Sequence, residues 1–449
     1  MSIANLPVEI QNAIQTGMLQ TAFESPLLPK MGYRHIADQE SFPARIGQTI
    51  TKTRAGLLPA ITTPVPPAAN TDITSGLTPQ NWAIEQYTLA LNQWMAQQMV
   101  NVVTTDVAIA SIFLKNAFDL AVQAQFSVDT LAYNEIMNAY MGGNTHVITT
   151  IAAAQTTIHV DNIDGFETVF NGDGAKVPIS STNPLNVQFQ SGTVYSLVGS
   201  GADATNVSVT PGGTSGTLTF STAVAISDGT AGQAVVSAVA PLVMRPYSTS
   251  GVMAPTTLAI SGSDMAGGKL TMQMLLNARA QLQSNGVQPF PGGSFRFICS
   301  PQQAVGLYQD PAFQMLYRGV PNTEVFQGGR VTHLLGIDVI ESNLNIAQSV
   351  SGVGMVQRGI MVGRGALIES TFTNNGYAQA VHSEDDRITI VDGIAHIIRE
   401  PIDAALQVVT QTWSYIGGFV APTDMTTNPQ TIPTASNAYY KRGALIESL

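Results

Sequence analysis

The densest cluster of polar side chains in the sequence is His382-Ser-Glu-Asp-Asp386. Its three adjacent carboxylates could bind a divalent cation, which prefers oxygen ligands. The segment Asn171-Gly-Asp-Gly174 could likewise form a calcium loop, but it lacks acids at alternate positions. Turns explain both segments better: a solvated turn before a strand at Arg387, and a hairpin turn. We therefore predict no metal site.

Two further groups could take part in catalysis. Asp392 and His396 are predicted to share one face of a strand, which permits an acid/base pair. No nucleophile or third partner can be assigned to them, so a structural role is the better interpretation. Cys299 is the only cysteine and ends the apolar run from Phe295. It is interpreted as a small core residue and not as a catalytic thiolate, because no histidine is near it in sequence.

Known catalytic and cofactor motifs are absent from the sequence. It contains no phosphate loop, no dinucleotide fingerprint and no nucleophile elbow. None of the six histidines is paired at the i, i+4 spacing of a helical zinc site. One cysteine allows neither an intrachain disulfide nor a cysteine-based zinc site. We expect a protein without catalytic residues and without a cofactor.

The composition narrows the function further. The 449 residues carry a net charge of −11, and only 11% of them are charged, against about 25% in an average soluble domain. An acidic chain cannot coat nucleic acid by charge neutralisation. No apolar run reaches the roughly 18 residues of a membrane span, and no secretory signal is visible. Synthesis in a reducing cytoplasm and a surface covered by other subunits are the expectations.

The N-terminal part of the chain is predicted to be extended. Residues 1–43 are interpreted as an arm with one short helix at Pro7–Leu19. Alternating β-branched residues predict a strand over Ala44–Arg54 and a second over Ala83–Leu91, separated by a proline-rich tip. This pattern predicts an extended two-stranded loop that needs a partner surface, because a lone hairpin is marginal in water. An interdomain linker is the alternative interpretation.

The longest helical signal covers Thr104–Tyr140. Apolar residues follow the helical period at Ile109, Phe113, Ala117, Leu120, Ala124, Val128 and Leu131. Gly142-Gly143 supplies a stop. A helix of this length runs roughly 55 Å, which is typical of a structural spine.

The composition changes abruptly at Asn144. The 98 residues to Pro241 hold seven charged side chains. Short apolar runs between turns predict seven strands, which indicates a small β-sandwich or barrel inserted into the chain. The predicted strands are 147–151, 157–160, 186–189, 194–198, 206–210, 218–220 and 234–237.

A mixed α/β pattern follows this insert, so the fold class is α+β. Helices are predicted at Lys269–Ser284 and after Ser300-Pro301 and Asp310-Pro311. Strands are predicted at 294–299, 334–340, 359–362, 387–398 and 404–415. The tail from Pro422 is rich in Thr, Asn and Pro and is expected to be irregular.

One segment of seven residues occurs twice. Arg364-Gly-Ala-Leu-Ile-Glu-Ser370 recurs as Arg442-Gly-Ala-Leu-Ile-Glu-Ser448. A local duplication or coincidence is one interpretation. The other is that the tail imitates the first segment and competes for its docking site.

The order of these elements resembles that of the major capsid proteins of tailed bacteriophages, especially short-tailed phages with an extra β domain. The resemblance rests on Arg45–Arg54, Thr104–Gly143, Phe295–Phe313 and Gly336–Glu341, and it concerns element order and not a short signature. It implies the tailed-phage major capsid protein fold with an inserted all-β domain. The implied divisions are an N-terminal arm (1–43), an extended loop (44–95), a peripheral domain (96–143 and 383–420), the inserted β domain (144–241), an axial domain (242–382) and a C-terminal tail (421–449).

The resemblance also implies a function. The chain would self-assemble into pentameric and hexameric capsomers that form an icosahedral capsid around double-stranded DNA without binding it specifically. Its partners would be copies of itself, a scaffolding protein, a portal and, where present, a decoration or cement protein. The location would be the virion capsid, assembled in the host bacterial cytoplasm, with no membrane contact.

Three basic residues of the extended loop are candidates for ion pairs between subunits: Arg45, Lys52 and Arg54. A solvated strand face is the alternative role. Some relatives link this loop covalently through a lysine, but Lys52 is its only lysine and lies near the base, so no cross-link is expected. Two other functions stay open: a surface-layer or adhesin-like structural protein, and an enzyme that uses Asp392 and His396.

Overall fold

The computed structural model describes twelve stretches of the chain, which hold all the elements below. They are residues 22–23, 32–42, 49–55, 84–101, 109–170, 176–210, 213–317, 333–344, 347–372, 388–399, 408–423 and 440–449. The chain divides into two compact units. The first unit comprises residues 1–52, 88–136 and 367–421, and the second comprises residues 53–87, 137–366 and 422–449. Helices and strands are mixed throughout, which confirms the α+β class.

A six-stranded sheet forms the base of the first unit. Its strands are β1 (Ala37–Phe42), β4 (Asn92–Asn101), β19 (Leu367–Phe372), β20 (Ile388–Val391), β21 (Ile394–Arg399) and β22 (Val408–Val420). The order is β1-β19-β22-β21-β20, and β4 pairs with β22. Strand β1 runs parallel to β19. The end of the predicted N-terminal arm, residues 37–42, is therefore an extended strand that lies on its own unit.

The single strand predicted over 387–398 is wrong. Strands β20 and β21 form a hairpin whose turn is Asp392-Gly393, with φ of 49° and 77°. Both residues need positive φ in such a two-residue turn, and Asp-Gly is among the sequences that favour it. The strand predicted over 334–340 is interrupted in the same way, at Leu335-Gly336.

Helix α1 (Ile109–Met141) is the longest element in the described part of the chain. Phe113, Ala117, Leu120, Ala124 and Val128 of the predicted stripe are buried. In the first unit this face packs on Trp413 and Tyr415 of the sheet. The helix ends where Gly143 adopts a φ of 79°. A side chain at Gly165 would collide with the backbone of Gly142 and Gly143, so the turn needs small residues on both sides.

The extended loop contains the two predicted strands. They are β2 (Thr49–Ala55) and β3 (Ile84–Ala90), which form a two-stranded sheet. The tip between them lies outside the described residues. Strand β4 follows β3 almost directly and was not predicted, because its Gln- and Met-rich sequence carries one β-branched residue in ten.

Residues 144–237 form a barrel in the second unit. Its strands are β5 (Asn144–His146), β6 (Gln155–Val160), β9 (Leu185–Phe189), β10 (Val194–Ala202), β11 (Gly216–Val224) and β12 (Ala234–Ser237). They pair in the order β5-β12-β9-β10-β11-β6. The bridge between Val147 and Val160 joins the two ends of this order and closes the barrel around an apolar core of its own.

Five of the seven strands predicted in this region coincide with observed strands. Residues 148–151 are not a strand, because pairing beyond β5 stops after Val147. Residues 206–210 are a loop whose backbone is bound by Asp161, which accepts a hydrogen bond from Val209 N at 2.7 Å. A small hairpin of β7 (Thr168–Phe170) and β8 (Lys176–Pro178) was not predicted.

A seven-stranded sheet lies in the rest of the second unit. Its strands are β13 (Val243–Met244), β14 (Phe295–Cys299), β15 (His333–Leu334), β16 (Ile337–Glu341), β17 (Gln348–Val350), β18 (Gly354–Val362) and β23 (Gly443–Ser448). The order is β13-β23-β18-β14-β16-β15, and β17 pairs with β18. Strand β23 contradicts the irregular tail. All six of its residues are buried, because its apolar sequence fills an interior place between β13 and β18.

Three shorter helices pack in the second unit: α2 (Met272–Ser284), α3 (Pro301–Tyr308) and α4 (Pro311–Tyr317). The predicted caps are present. Ser300 and Gln303 form a reciprocal capping box at the start of α3. The Asp310 carboxylate accepts from Ala312 N at 3.0 Å and from Met272 N at 2.6 Å, so one side chain fixes the starts of two helices.

Candidate functional site

The structure does not assemble a catalytic group from the predicted candidates. His382–Asp386 and Asn171–Gly174 lie outside the described residues. Asp392 and His396 do not share a strand face, because Asp392 is in the turn between β20 and β21. Burial raises the pKa of the Cys299 thiol to about 12, so this thiol stays protonated and is a poor nucleophile. Within the described ranges, no three His, Cys, Asp or Glu side chains are placed to hold a metal ion.

A buried ion-pair cluster holds the N-terminal segment on the first unit. The guanidinium of Arg34 donates to Glu369 and Asp392, each at 2.9 Å, and lies over the ring of Tyr415. Tyr415 Oη also donates to Glu369, at 2.8 Å. Burial by itself would lower the pKa of Arg34, but Glu369 and Asp392 outweigh it and hold this pKa above its usual value.

A carboxylate on α1 binds the same segment through its backbone. Asp129 accepts hydrogen bonds from Tyr33 N at 2.8 Å, Arg34 N at 2.9 Å and Gly32 N at 3.3 Å. Desolvation raises the pKa of Asp129 although the three N–H groups oppose it. Residues 32–42 are thus fixed by side chains from the helix and by pairing with β19, and they belong to the folded unit.

His396 lies in the core of the first unit beside this cluster. Its ring stacks on Phe23 at 4.7 Å between centroids, and its Nε2 contacts Gln411 Oε1 at 3.3 Å. Gln411 Nε2 donates in turn to Phe113 O of α1 at 2.9 Å. Among the described residues, Nδ1 of His396 has no partner. The imidazole is a structural group that links β21, β22 and α1, and it is not positioned as a base.

The burial of the neutral His396 ring predicts that acid lowers the stability of the first unit. Desolvation lowers the pKa of His396 from 6.5 to about 4. The neutral ring is the stable form, so its contribution is present above pH 6.5 and is lost as the pH falls from 6.5 towards 4. Between pH 7 and pH 5 the loss is about 2 kcal/mol. Urea unfolding followed by Trp94 and Trp413 fluorescence measures it, and a His396→Leu variant should lack this part of the pH dependence. An equal slope in both proteins would contradict it.

A second buried cluster lies in the second unit around Glu447. Arg245 Nε donates to Glu447 Oε2 at 2.8 Å, and Arg358 Nε donates to Glu447 Oε1 at 3.0 Å. Thr257 Oγ1 adds a third hydrogen bond, at 3.0 Å. Desolvation opposes ionisation, but the two guanidiniums prevail and lower the pKa of Glu447 to about 2.

The two buried glutamates occupy the same position in the two copies of the internal repeat. Glu369 occupies the sixth position of the first copy and Glu447 the sixth position of the second. Both copies form buried strands, β19 and β23, and each runs parallel to a neighbouring strand, β1 or β13. The second copy has its own place in a sheet. Each copy contributes a buried glutamate to the sheet of its own unit.

The structure describes the three predicted intersubunit residues to different extents. Lys52 on β2 forms an ion pair with Glu40 on β1, and both side chains are partly exposed. Arg54 is on β2, but the position of its side chain is not described, and Arg45 lies outside the described residues. Their role between subunits stays a prediction.

The long helix carries an exposed apolar stripe that the sequence pattern did not single out. Phe118, Val122 and Phe126 recur every four residues and are 45%, 40% and 58% exposed. This helix stripe lies on the side of α1 away from Leu120, Ala121 and Ala124, which pack in the core. The hydroxyls of Ser127 and Thr130 beside it donate back to helix carbonyls, so they add little polarity.

The sheet of the first unit presents a similar surface. Met95 and Met99 on β4 are 55% and 68% exposed and point to the same face, since alternate residues of a strand do. Strand β4 contains no charged residue in ten. Exposed apolar surfaces of this kind mark places where other molecules bind. The described arrangement offers contact surfaces on rigid elements and no reactive centre.

No family model matches the sequence, and no curated protein matches it. Solved structures similar in fold include the capsid of Ralstonia phage GP4, at 11% identity and a TM-score of 0.47, over 92% of this chain and 87% of that one. The capsid asymmetric unit of cyanophage Pam1 is similar at 13% identity and a TM-score of 0.47, over 95% and 92%. The capsid of cyanophage P-SCSP1u is similar at 10% identity and a TM-score of 0.43, over 93% and 87%.

Within the described residues, no helix is long and apolar enough to cross a membrane.

Proposed function

We propose that this chain is a structural subunit that assembles with copies of itself into the shell of a tailed-bacteriophage capsid. The observation that carries the proposal is the helix stripe, three apolar side chains exposed on the longest helix of the described residues. A monomer gains nothing from exposing Phe126, whereas burying such surface drives association.

The finer assignments follow from the sequence resemblance. Pentameric and hexameric capsomers, an icosahedral shell and enclosed double-stranded DNA are the expected products. Rings of this kind need contacts between different surfaces of neighbouring copies. The loop of residues 44–95 would reach a neighbour, residues 96–143 and 383–420 would form the peripheral domain, and residues 242–382 would form the axial domain. A scaffolding protein, a portal and a decoration protein are the proposed partners.

The test is the assembly of a variant in which the helix stripe is polar. We expect Phe118→Ser with Phe126→Ser to lower the yield of sedimenting shells at least about tenfold, because assembly multiplies the loss of each buried contact over many copies. Its unfolding free energy should fall by only about 2 kcal/mol, since about half of each ring is already exposed in the monomer. Val207→Ser is the matched control, as Val207 is 94% exposed on the barrel. Unchanged assembly of the double variant would contradict the proposal.

A further inference from the structure

A groove in the second unit opens where the barrel joins the segment that follows it. Its volume is about 270 Å³. Phe189 of β9, Val243 of β13, Met253 and Pro255 form much of its apolar wall. Among the described residues, no side chain or backbone segment occupies this space.

One charged side chain lines this groove. Arg245 is only 8% exposed and is a member of the Glu447 cluster. Its Nε donates to Glu447, and its Nη1 donates to Pro255 O at 3.1 Å. Among the described residues, Nη2 has no hydrogen-bond partner. Arginine can donate five hydrogen bonds in a planar fork, so this guanidinium keeps donors for a further acceptor.

The charge of the cluster favours an anionic acceptor. Arg245 and Arg358 share the single carboxylate of Glu447. The buried His146 interacts electrostatically with Arg245, with Glu447 and with a second acid, Asp161. Its oxygens accept from Ser208, Val209 and Thr210. His146 is buried, and desolvation lowers its pKa, so it adds no positive charge at neutral pH. The guanidinium of Arg245 shares the charge of Glu447 with Arg358 and still has Nη2 donors for a further acceptor, and a carboxylate is the acceptor that it would bind most strongly.

The volume of the groove limits the size of the apolar part of the ligand. A cavity of about 150 Å³ holds one benzene ring. A groove of 270 Å³ lined by Phe189 and Met253 holds an unbranched aliphatic body of about eight carbons by the same measure. Sites of this kind combine apolar walls with a few polar groups that fix orientation.

We propose that this groove is a binding site for a medium-chain aliphatic carboxylate, with the carboxylate on Arg245 and the chain between Phe189 and Met253. The proposed site can be tested whether or not the chain forms a shell, because all its residues belong to the second unit of a single chain.

Octanoate, 1-octanol and octylamine are the probes, added to the full-length protein and measured by isothermal titration calorimetry. Octanoate should bind at least about tenfold more tightly than 1-octanol, because a charge-assisted hydrogen bond is added. Octylamine should not bind. Arg245→Lys keeps the positive charge beside Glu447 but loses the fork, so the preference for octanoate over octanol should fall.

Met253→Trp puts a larger side chain into the wall of the groove and leaves the residues of the ion-pair cluster unchanged, and it should abolish binding of both octanoate and octanol. Met355→Trp is the matched control, since Met355 is exposed elsewhere in the same unit. Circular dichroism shows whether each variant is folded. The proposal is overturned if octanoate does not bind, if octanol binds as well as octanoate, or if Met253→Trp leaves octanoate binding intact.

Discussion

Replacing Glu447 by alanine should destabilise the second unit by about 3–5 kcal/mol, because two buried guanidiniums lose the carboxylate that compensates them. Arg245 and Arg358 are 8% and 2% exposed, so both guanidiniums would stay largely desolvated without Glu447. The lost hydrogen bonds also leave Thr257 Oγ1 without its acceptor. The effect should be largest in β13, β18 and β23, the strands that meet at this cluster.

Hydrogen exchange of the β18 and β23 amides, together with the urea midpoint, measures this loss. Asp264→Ala is the control, because Asp264 is exposed and its change should stay within about 0.5 kcal/mol. The wild-type protein offers a second check. Since the pKa of Glu447 is lowered to about 2, its contribution is present above pH 4.5 and is lost between pH 4.5 and 2. A Glu447→Ala protein as stable as the wild type would show that the cluster does not hold the sheet together.

Replacing Arg34 by alanine should destabilise the first unit by a similar amount, about 3–5 kcal/mol. Glu369 is fully buried, and it would keep only the hydroxyl of Tyr415 as a donor among the contacts described. Loss of Arg34 also frees Asp392 in the hairpin turn. Strand β1 should then separate from β19 at a lower denaturant concentration than the rest of the sheet unfolds.

A second substitution distinguishes lost charge compensation from lost packing. Glu369→Gln in the Arg34→Ala background removes the uncompensated charge, so it should recover part of the stability. Fluorescence of Trp94 and Trp413 in a Trp82→Phe background reports on this unit, and Lys115→Ala is the control on an exposed position of α1. If the double variant is less stable than Arg34→Ala alone, the account of a charge-compensating pair is wrong.

Local sequence patterns correctly predicted the elements that depend on residues close to one another in the chain. The apolar stripe of α1, the Ser300 capping box and most barrel strands are fixed by neighbours within a few residues. The hairpin at Asp392-Gly393 was within reach of the same reasoning, because Asp-Gly is a known turn sequence, but the apolar residues around it suggested one continuous strand.

The clusters could not be predicted in the same way. Arg34 and Glu369 are 335 residues apart, and nothing near either residue identifies the other. Strand β23 was hidden because it follows a Thr-, Asn- and Pro-rich stretch, although its buried place explains the apolar sequence. The internal repeat was the one usable signal. It marked the two segments that each deliver a buried glutamate, but their partners appear only in the fold.

We proposed above that this chain builds a shell. Negative-stain electron microscopy of the full chain, expressed alone and with a candidate scaffolding protein, is the decisive experiment. We expect closed shells or free rings of five and six copies, and their loss in the Phe118→Ser, Phe126→Ser variant. A wild-type chain that remains monomeric at every concentration tested would contradict it.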